Sequence, residues 1–425
     1  MTPTPTPPST PPSTPTPASP STPAPAPLTA ADLRATPNAL ARHYMRFRVA
    51  DRLVLTGHSH QAWPDVAREG QVEAFDDAAA ARDDKWDLAL AKADEVRAGY
   101  RRLLGDPGGE IALGASTHDL VVKLLSALDI RHRRRLVTTG GEFHSLRRQL
   151  ARLAEEGVEV VWVEADPVDT LAERLAEATD DRALAVMVSA VLFETARIVP
   201  GLDGLAAACT RRGAELLVDG YHALGCVPLP IHELGLSSAW VLGGGYKYLQ
   251  LGEGNCCLRM PDHATEVRPI VTGWFAELSA RSHEQDRLGP VGYGPGAERF
   301  AGATYDPTSH YRAARVFRFF AEQGLTPELL RESYLHQVAV LAGAFDALQV
   351  PDALVTRDRV TPPTGFGGFL ALESPHAGRL DDEMRRRGVS IDRRGRFLRL
   401  GPAPYLSDAQ LEAAIAVLGE AIADL

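Results

Sequence analysis

The chain has 425 residues, of which 45% are hydrophobic and 24% charged, and its formal net charge is −10. This composition is typical of a globular protein with a large buried core, and it excludes collagen, coiled coils and disulfide-rich toxins. Because the chain is acidic and has no basic block, we expect that it does not bind nucleic acid. Because it has no long apolar stretch, we expect that it does not span a membrane. Four cysteines do not make a disulfide framework, and the N-terminus lacks a basic segment followed by an apolar one, so we expect a cytoplasmic protein.

The first segment of the chain is almost wholly Pro, Thr, Ser and Ala. We interpret residues 1–27 as a disordered tail, because such a composition cannot bury enough apolar surface to offset the entropy of ordering. The folded part is expected to start near Leu28, where Thr29 is a candidate helix cap. We predict that residues 28–60 form an N-terminal arm that contributes to a small domain.

Short apolar β-like runs alternate with helical patterns from about Leu136 onward. The strands are expected at Leu136–Thr139, Val158–Val163, Leu184–Ser189, Glu215–Val218 and Ala239–Leu242, and the helices at Leu146–Glu156, Leu171–Thr179 and Leu202–Arg212. This alternation predicts the α/β fold class, with a mainly parallel sheet flanked by helices, as a large domain over residues 61–305. In such sheets ligands bind beyond the carboxyl ends of the strands, so the residues that follow each strand are the candidates for a site.

The pattern changes after about Thr304. A long helical stretch is expected from Ser309 to Gln323 and onward to Leu348. Further strands and helices are expected at Gly368–Glu373, Leu380–Arg387, Phe397–Leu400 and Asp408–Ile422, the last with Ser407 as its cap. Residues 306–425 are therefore predicted to form a linking helix and a smaller C-terminal α+β domain.

Two residues placed directly after strands carry the strongest chemical signal. Asp219 ends the fourth strand and is followed by His222, and Lys247 follows three glycines after the fifth. A partly desolvated lysine has a lowered pKa and suits Schiff-base chemistry, while an aspartate can pair with a pyridinium nitrogen. Taken singly, Asp219 could cap a turn and Lys247 could lie on the surface.

A cofactor with a phosphate also needs an anion site. Ser116 and Thr117 precede a helical pattern at Asp119–Leu128, and hydroxyls with free N–H groups at a helix N-terminus bind phosphate. The same residues also make an ordinary helix cap. Phe143, after the first predicted strand, could stack on a cofactor ring or belong to the core. The three glycines before Lys247 do not form a P-loop, because the sequence pattern differs.

At these residues the chain resembles the class V branch of the fold-type I pyridoxal-phosphate enzymes, and within it the kynureninases. The resemblance covers most of the chain from about residue 50 and is strongest at Val218–His222, Tyr246–Leu249, Thr272–Phe275 and Arg399–Pro404. It implies a fold-type I PLP-transferase large domain, pyridoxal 5′-phosphate as cofactor, a small-molecule amino-acid substrate and a homodimer with shared active sites.

The resemblance also implies roles for individual residues. Lys247 corresponds to the lysine that binds the cofactor and moves the α-proton, assisted by Tyr246, which reaches the phosphate. Asp219 corresponds to the partner of the pyridinium nitrogen, with His222 beside it. The remaining cofactor contacts implied by the resemblance are Ser116, Thr117, Phe143 (or His144, one residue on), Trp274 and Thr304, the last in place of an Asn that crosses the subunit interface.

On the substrate side, Arg399 corresponds to the arginine that holds the α-carboxylate, a task that bidentate geometry suits. Ser59 and His58 match substrate-contacting positions, although the Gly-Asn-Ser-Leu-Gly of kynureninases here reads Gly-His-Ser-His-Gln over residues 57–61. We expect no metal site, since His58 and His60 two positions apart are weak metal ligands on their own.

The resulting hypothesis is hydrolytic carbon–carbon cleavage of kynurenine or a similar 2-amino-4-oxo acid, as in tryptophan catabolism, giving alanine and an aromatic acid. Two alternatives stay open, because fold does not determine reaction: a class V aminotransferase or lyase acting on another amino acid, and a pyridoxal-phosphate-binding protein without turnover. A cysteine desulfurase is disfavoured, since it needs a nucleophilic cysteine well after the lysine and none follows Cys257.

Overall fold

The computed structural model of the chain describes residues 26–280 and 289–425. The predicted disordered tail, apart from its last two residues, lies outside the described residues. The strands are β1 (Leu53–Val54), β2 (Glu110–Gly114), β3 (Arg135–Thr139), β4 (Glu159–Val163), β5 (Ala183–Ser189), β6 (Glu215–Asp219), β7 (Trp240–Gly244), β8 (Cys256–Met260), β9 (Leu370–Glu373), β10 (Val389–Ser390), β11 (Asp392–Arg394) and β12 (Phe397–Leu400).

The α-helices lie on the faces of the sheets and in the connections between strands. They are α1 (Ala30–Arg34), α2 (Ala67–Ala81), α3 (Lys85–Leu103), α4 (Thr117–Ala127), α5 (His144–Glu155), α6 (Leu171–Ala178), α7 (Leu202–Arg212), α8 (Thr308–Gln323), α9 (Pro327–Ala347), α10 (Ala377–Arg386) and α11 (Asp408–Ala423). Among the described residues, none of these helices is both long enough and apolar enough to cross a membrane.

The central sheet has seven strands in the order β2-β8-β7-β6-β5-β3-β4. All its pairings are parallel except those of β8, which runs antiparallel to both β2 and β7. Every residue of β5, β7 and β8 is buried, as expected for a sheet covered by helices on both faces. The predicted α/β fold class with a mainly parallel sheet is confirmed, and the five predicted strands match β3 to β7 within one or two residues at each end.

Two parts of the architecture differ from the sequence prediction. Strands β2 and β8 were not predicted, because the cysteine-containing run of β8 has no polar alternation that would separate a strand from a buried segment. The long helix expected from Ser309 to Leu348 is two helices, because Gly324 adopts a left-handed conformation with φ of 71° and ends α8. The predicted caps are confirmed at Thr29 and Ser407, which begin α1 and α11.

The C-terminal elements form two small sheets that include an N-terminal strand. Strand β1 pairs in parallel with β10, while β11, β12 and β9 form an antiparallel sheet. A further bridge joins Thr56 to Gly401, directly after β1 and β12. The segment that follows β1 therefore lies against the end of β12, where Arg399 is located. The proposed division at residues 27, 60 and 305 stays a prediction.

Candidate active site

Lys247 lies just beyond the end of β7 in a loop that turns back toward β6. Its side chain is only 5% exposed, and its Nζ lies 2.7 Å from Nε2 of His222, which follows β6. The ammonium position is also 4.4 Å from the centre of the Tyr221 ring and 5.3 Å from that of Phe143. The lysine predicted from the glycine-rich turn is therefore buried among aromatic rings.

Burial determines the protonation states of Lys247 and His222. Desolvation lowers the pKa of Lys247 to about 7, against the opposing attraction of Asp219, and the nearby Arg399 lowers it further. Burial and the neighbouring Lys247 hold the pKa of His222 well below its usual value. His222 is thus a neutral imidazole that accepts a hydrogen bond from Lys247, and its Nδ1 has no hydrogen-bond partner among the described residues.

Two carboxyl groups lie on the other side of the lysine. Asp219, the last residue of β6, accepts a hydrogen bond from the backbone N–H of Tyr221 at 2.8 Å, and burial raises its pKa despite that bond and the charge of Lys247. Glu142 is completely buried after β3, and burial followed by the proximity of Asp219 raises its pKa to about 8 although Ser189 donates to it. Two buried carboxyl groups with raised pKa values therefore share this end of the sheet.

A cavity of about 240 Å³ opens between these groups at the carboxyl ends of the central strands. It is lined by residues that follow β2, β3, β5, β6 and β7, the position at which α/β sheets bind ligands. The lining side chains predicted from the sequence are Ser116, Thr117, Phe143, Asp219, His222, Tyr246 and Lys247. The structure therefore brings these seven residues together around one space, while their individual roles stay predictions.

One wall of the cavity is the N-terminus of α4. Ser116 is the N-cap of this helix, and its Oγ accepts a hydrogen bond from the N–H of Asp119 at 3.1 Å. Ala115, Ser116 and His118 are exposed, so the first N–H groups of α4 face the cavity mouth. This is the arrangement in which helix N-termini bind phosphate groups.

Aromatic side chains form the remaining walls. Phe143 lines the cavity and meets the ring of Phe193 edge-on with centroids 5.5 Å apart. His144, offered as the alternative stacking residue, begins α5, is exposed and is absent from the cavity lining. Phe143 is thus the residue of the two that is placed to stack on a ring within the cavity.

Tyr246 connects the cavity to the N-terminal segment. Its ring stacks on His60 with centroids 5.0 Å apart, and its carbonyl accepts a hydrogen bond from the N–H of Gln61. The ring also lies 5.1 Å from that of Tyr221. The residues after β1 therefore touch the turn that carries Lys247.

Arg399 is 2% exposed and comes from β12; it does not line the cavity itself but contacts Phe193, which does. Its guanidinium donates to the carbonyl of Phe193 and to the carboxylate of Asp392, and its Nε is buried with no partner among the described residues. Asp392 also accepts a hydrogen bond from Arg394 at 2.7 Å. Arg399 is therefore held at two of its nitrogens while its Nε–H stays free.

The other two substrate-side predictions lie behind this arginine. His58 is completely buried, its ring is 4.5 Å from that of Phe369, and its Nε2 is 3.7 Å from Asp392. Ser59 Oγ donates to the carbonyl of Thr56 in a local turn. Neither residue lines the cavity, so the structure places His58 and Ser59 as neighbours of Asp392 and of the N-terminal turn.

Trp274 and Thr304 are placed together, but away from the Lys247 cavity. The indole Nε1 of Trp274 donates to Thr304 Oγ1 at 3.0 Å, and both side chains are exposed. The adjoining loop is tied to α4 by Lys123, which donates to the carbonyl of Phe300 at 3.0 Å. These two predicted cofactor contacts therefore do not join the cavity of their own chain.

Four residues of this region were missed by the sequence reasoning: Glu142, Ser189, Tyr221 and Asp392. Tyr221 sits inside the Asp-Gly-Tyr-His motif and was a detectable candidate, as was Glu142 directly before Phe143. Ser189 and Asp392 have no sequence signal of their own. Their positions follow only from the pairing of β5 with β6 and of β11 with β12.

The donor set of this cavity fits pyridoxal 5′-phosphate. The helix N-terminus suits a phosphate, Phe143 offers an aromatic face, and Asp219 offers a carboxylate to a ring nitrogen. Lys247 offers an amine whose pKa burial lowers to about 7, and Nδ1 of His222 is a buried polar atom without a protein partner among the described residues. Fold and site together are similar to those of the class V branch of the fold-type I pyridoxal-phosphate enzymes.

Within that class, the sequence relatives include two kynureninases. The chain is 27% identical over 346 residues to the kynureninase of Deinococcus radiodurans and 26% identical over 352 residues to that of Pseudomonas fluorescens, covering 79% of this chain and 80% of each relative. It is also 23% identical over 331 residues to the uncharacterized aminotransferase YcbU of Bacillus subtilis, covering 78% of this chain and 84% of that protein. No family model matches the chain.

Solved structures with the same fold include a cysteine desulfurase and a lyase. The apo cysteine desulfurase of Thermococcus onnurineus superposes with a TM-score of 0.75 at 18% identity, covering 92% of this chain and 98% of that one. The C-DES protein, with glycine covalently linked to its PLP cofactor, superposes with a TM-score of 0.77 at 16% identity, covering 89% and 98%. At these identities the similarity establishes the fold alone.

The cysteines of this chain are not suited to persulfide chemistry. All four are buried and unpaired, and burial raises the pKa of the thiols of Cys209, Cys226 and Cys256 to about 12. A thiol attacks as its thiolate, so these groups are poor nucleophiles at neutral pH. The expectation that the chain is not a cysteine desulfurase stays a prediction.

Proposed function

We propose that this chain binds pyridoxal 5′-phosphate on Lys247 and cleaves the Cβ–Cγ bond of kynurenine or a similar 2-amino-4-oxo acid. The observation that carries the proposal is the buried contact of 2.7 Å between Lys247 Nζ and His222 Nε2, beside Asp219 and the N-terminus of α4. The kynureninases among the sequence relatives support this substrate class.

The chain's own residues supply binding and proton transfer. The N–H groups at the start of α4, with Ser116 and Thr117, hold the phosphate, and Phe143 covers one face of the ring. Asp219 keeps a proton on the ring nitrogen. The bound cofactor supplies an electron sink for the bonds at Cα of the amino acid.

Arg399 binds the α-carboxylate through its free Nε–H and the remaining hydrogens of its guanidinium, which orients the bonds at Cα. Lys247 Nζ accepts the Cα proton, because a pKa near 7 leaves much of the amine uncharged at neutral pH. Neutral His222 holds that amine in place through its Nε2. Overall one water is consumed, its oxygen entering the aromatic acid, and Cβ gains a proton in the released alanine.

A homodimer in the cytoplasm belongs to the same proposal. The exposed Trp274–Thr304 pair does not line the cavity of its own chain, which fits delivery to a neighbouring copy. Enzymes of this class build each active site from two subunits, by the resemblance described above.

A class V aminotransferase or lyase is the second candidate, favoured by the similarity to an aminotransferase over 78% of the chain. An aminotransferase would use the same lysine, aspartate and arginine. The amino group of the amino-acid substrate would then replace the keto oxygen of a second substrate, a keto acid. A cofactor-binding protein without turnover is less well supported, since it has no need of a buried arginine beside Lys247.

The test is to incubate the cofactor-loaded protein with L-kynurenine and with 3-hydroxykynurenine, and to follow products by fluorescence and chromatography. We expect anthranilate or its hydroxylated form together with alanine. Lys247→Ala should abolish both products, while Lys92→Ala, at a partly buried lysine of α3 that pairs with Glu73 and does not line the cavity, should not. A loaded protein that releases neither product refutes the kynurenine assignment. Transfer of an amino group to a keto acid would then support the second candidate.

A further inference from the structure

Arg312, in α8, is a buried arginine to which the proposed mechanism gives no role. It is 7% exposed, and its hydrogen bonds go to backbone carbonyls rather than to carboxylates: Nε donates to Leu251 O at 2.7 Å and Nη2 donates to Glu253 O. Burial lowers the pKa of the guanidinium, against the attraction of Glu253 and Asp306. A cation removed from water without a hydrogen-bonded anion costs free energy, so for stability alone an apolar side chain would be the less costly occupant.

The two carbonyls belong to the segment between β7 and β8, which carries Lys247. Leu251 closes the turn around the lysine, because its N–H donates to the carbonyl of Gly245 at 2.9 Å. Glu253, two residues further on, lines the cavity. One side chain of α8 therefore holds both the residue that closes the lysine turn and the cavity wall that follows it.

The N-terminal segment supplies the other side of this contact. The guanidinium carbon of Arg312 lies 4.5 Å from the centre of the Trp63 ring, a distance at which a cation is attracted to an aromatic face. Gly252 has a φ of 69°, and a Cβ there would lie 2.7 Å from Arg312 Nε and 2.8 Å from atoms of the Trp63 ring. The loop backbone is thus packed directly against the Arg312–Trp63 pair, at a distance that only glycine allows.

We propose that Arg312 is a positioning residue for Lys247, and that it holds the lysine amine beside His222 by fixing the loop through its two carbonyls. Trp63 keeps the guanidinium in the orientation that reaches both of them. This inference rests on the proposed function only in that Lys247 binds the cofactor, and it does not depend on which amino acid is cleaved. Arg312 does not line the cavity and is assigned no contact with cofactor or substrate.

The test measures how readily the amine of Lys247 reacts with added pyridoxal 5′-phosphate when no amino-acid substrate is present. The amine condenses with the aldehyde of the cofactor, a C=N bond forms, one water leaves, and the visible absorption changes. Only the uncharged amine reacts, so the initial rate rises with pH around the pKa of Lys247, which is about 7. The quantity compared between variants is the pH midpoint of that rise.

Arg312→Met removes the charge and both hydrogen bonds while it keeps most of the side-chain volume. We expect the midpoint to rise by about one pH unit or more, because a loosened loop admits water to Lys247 and relieves the desolvation that lowers its pKa. Affinity for pyridoxal 5′-phosphate should fall about tenfold. Arg312→Lys keeps the charge but lacks the planar fork that reaches both carbonyls, so its midpoint should move in the same direction by less.

The matched control is Arg315→Met, three residues further along the same helix. The guanidinium of Arg315 pairs with Glu69 at 2.9 Å and with Glu322 at 3.2 Å, and it makes no contact with the lysine loop. The midpoint and the cofactor affinity of this variant should equal those of the original chain. Thermal unfolding of all three variants, measured in parallel, separates a shift of the midpoint from a general loss of stability.

An unchanged midpoint in both Arg312 variants would overturn the inference. An equal shift in Arg315→Met would also overturn it, because Arg312 would then be only one of several supports of α8. If Arg312→Met does not fold, the comparison of Arg312→Lys with the control decides. An original chain in which Lys247 forms no bond with the cofactor would instead refute the proposed function itself.

Discussion

Lys247 and His222 face each other across the ends of two neighbouring parallel strands, and Lys247 Nζ lies 2.7 Å from His222 Nε2. Both side chains are buried. Both are bases whose charged forms are disfavoured by burial. Adding a proton to either side chain therefore costs free energy in the folded state. For this reason the contribution of the pair to the free energy of unfolding depends on pH.

The first prediction concerns that dependence. The pKa of Lys247 is about 7 in the folded chain against 10.5 ordinarily, so between these values the unfolded chain binds more protons and the folded state gains stability as the pH rises. Lys247→Met removes the group. We expect the cofactor-free variant to be the more stable at pH 6, and its advantage to shrink above pH 7 by up to about 1.4 kcal/mol per pH unit.

The measurement is urea unfolding of both cofactor-free proteins from pH 6 to pH 9. Using the difference between them cancels the titrating groups that Lys247 does not influence, including Glu142, whose raised pKa gives the opposite slope. Parallel stability curves for the two proteins would show that Lys247 is not desolvated as described.

The second prediction concerns Arg399. Arg399→Lys keeps the positive charge but loses the fork that binds a carboxylate through two nitrogens, so KM for the amino acid should rise about tenfold to hundredfold. Asp392→Asn should raise KM less and leave kcat nearly unchanged, because Asp392 supports the Arg399 guanidinium and does not line the cavity itself. Arg393→Lys, at an exposed position of the neighbouring strand, is the control. Equal KM values for Arg399→Lys and the control would remove Arg399 from the site.

The third prediction concerns the glycine at the end of β7. A Cβ at Gly244 would lie 2.4 Å from ring atoms of Tyr221, which itself lies 4.4 Å from Lys247 Nζ. Gly244→Ala should therefore displace Tyr221, lower stability by about 1–3 kcal/mol and reduce cofactor affinity. Gly343→Ala in α9, where a Cβ meets nothing within 4 Å, should instead raise stability by up to about 1 kcal/mol. The measurements are thermal unfolding and cofactor titration of both variants. Unchanged stability of Gly244→Ala, or lowered stability of Gly343→Ala, would contradict the prediction.

The fourth prediction concerns the thiols. Cys256 lines the cavity, but its raised pKa makes it a small neutral side chain, so Cys256→Ala should retain turnover within about threefold. Native protein should react with a thiol-specific chromogenic reagent far more slowly than urea-unfolded protein. Loss of activity in Cys256→Ala with the cofactor still bound would reopen a persulfide mechanism.

The fifth prediction concerns the Trp274–Thr304 pair. If Trp274 serves the neighbouring copy, inactive Lys247→Ala and impaired Trp274→Ala chains should complement each other after co-expression, because one site in each mixed dimer is intact. Random pairing then restores about a quarter of the original activity. Mixed samples no more active than the separate variants would show that Trp274 acts within its own chain or not at all.

Much of the central sheet was predictable because parallel strands and their helices repeat at a regular spacing. Asp219 and Lys247 were predictable for the same reason: each comes directly after a buried strand, and strand ends meet at one edge. The antiparallel strand β8 was not predictable, because its short apolar sequence has no pattern that separates a strand from any other buried segment. The break at Gly324 was missed because the apolar periodicity continues on both sides of it.

The substrate side was less predictable than the cofactor side. The family resemblance implied substrate contacts for Arg399 and His58, but their surroundings depend on Asp392, which is placed beside Arg399 by the pairing of β11 with β12. Glu142 shows a related limit. Its sequence position beside Phe143 is visible, whereas its burial against Ser189 arises from strands far apart in the chain.

The pairing of β1 with β10 has a consequence for synthesis of the chain. Leu55 donates its N–H to the carbonyl of Ser390 at 2.8 Å, so the segment before His58 is anchored only when nearly the last strand is present. The helix N-terminus, Asp219 and Lys247 are all made earlier, within the central sheet. On the ribosome, the residues around Lys247 can therefore assemble while those around Arg399 still await the C-terminal residues.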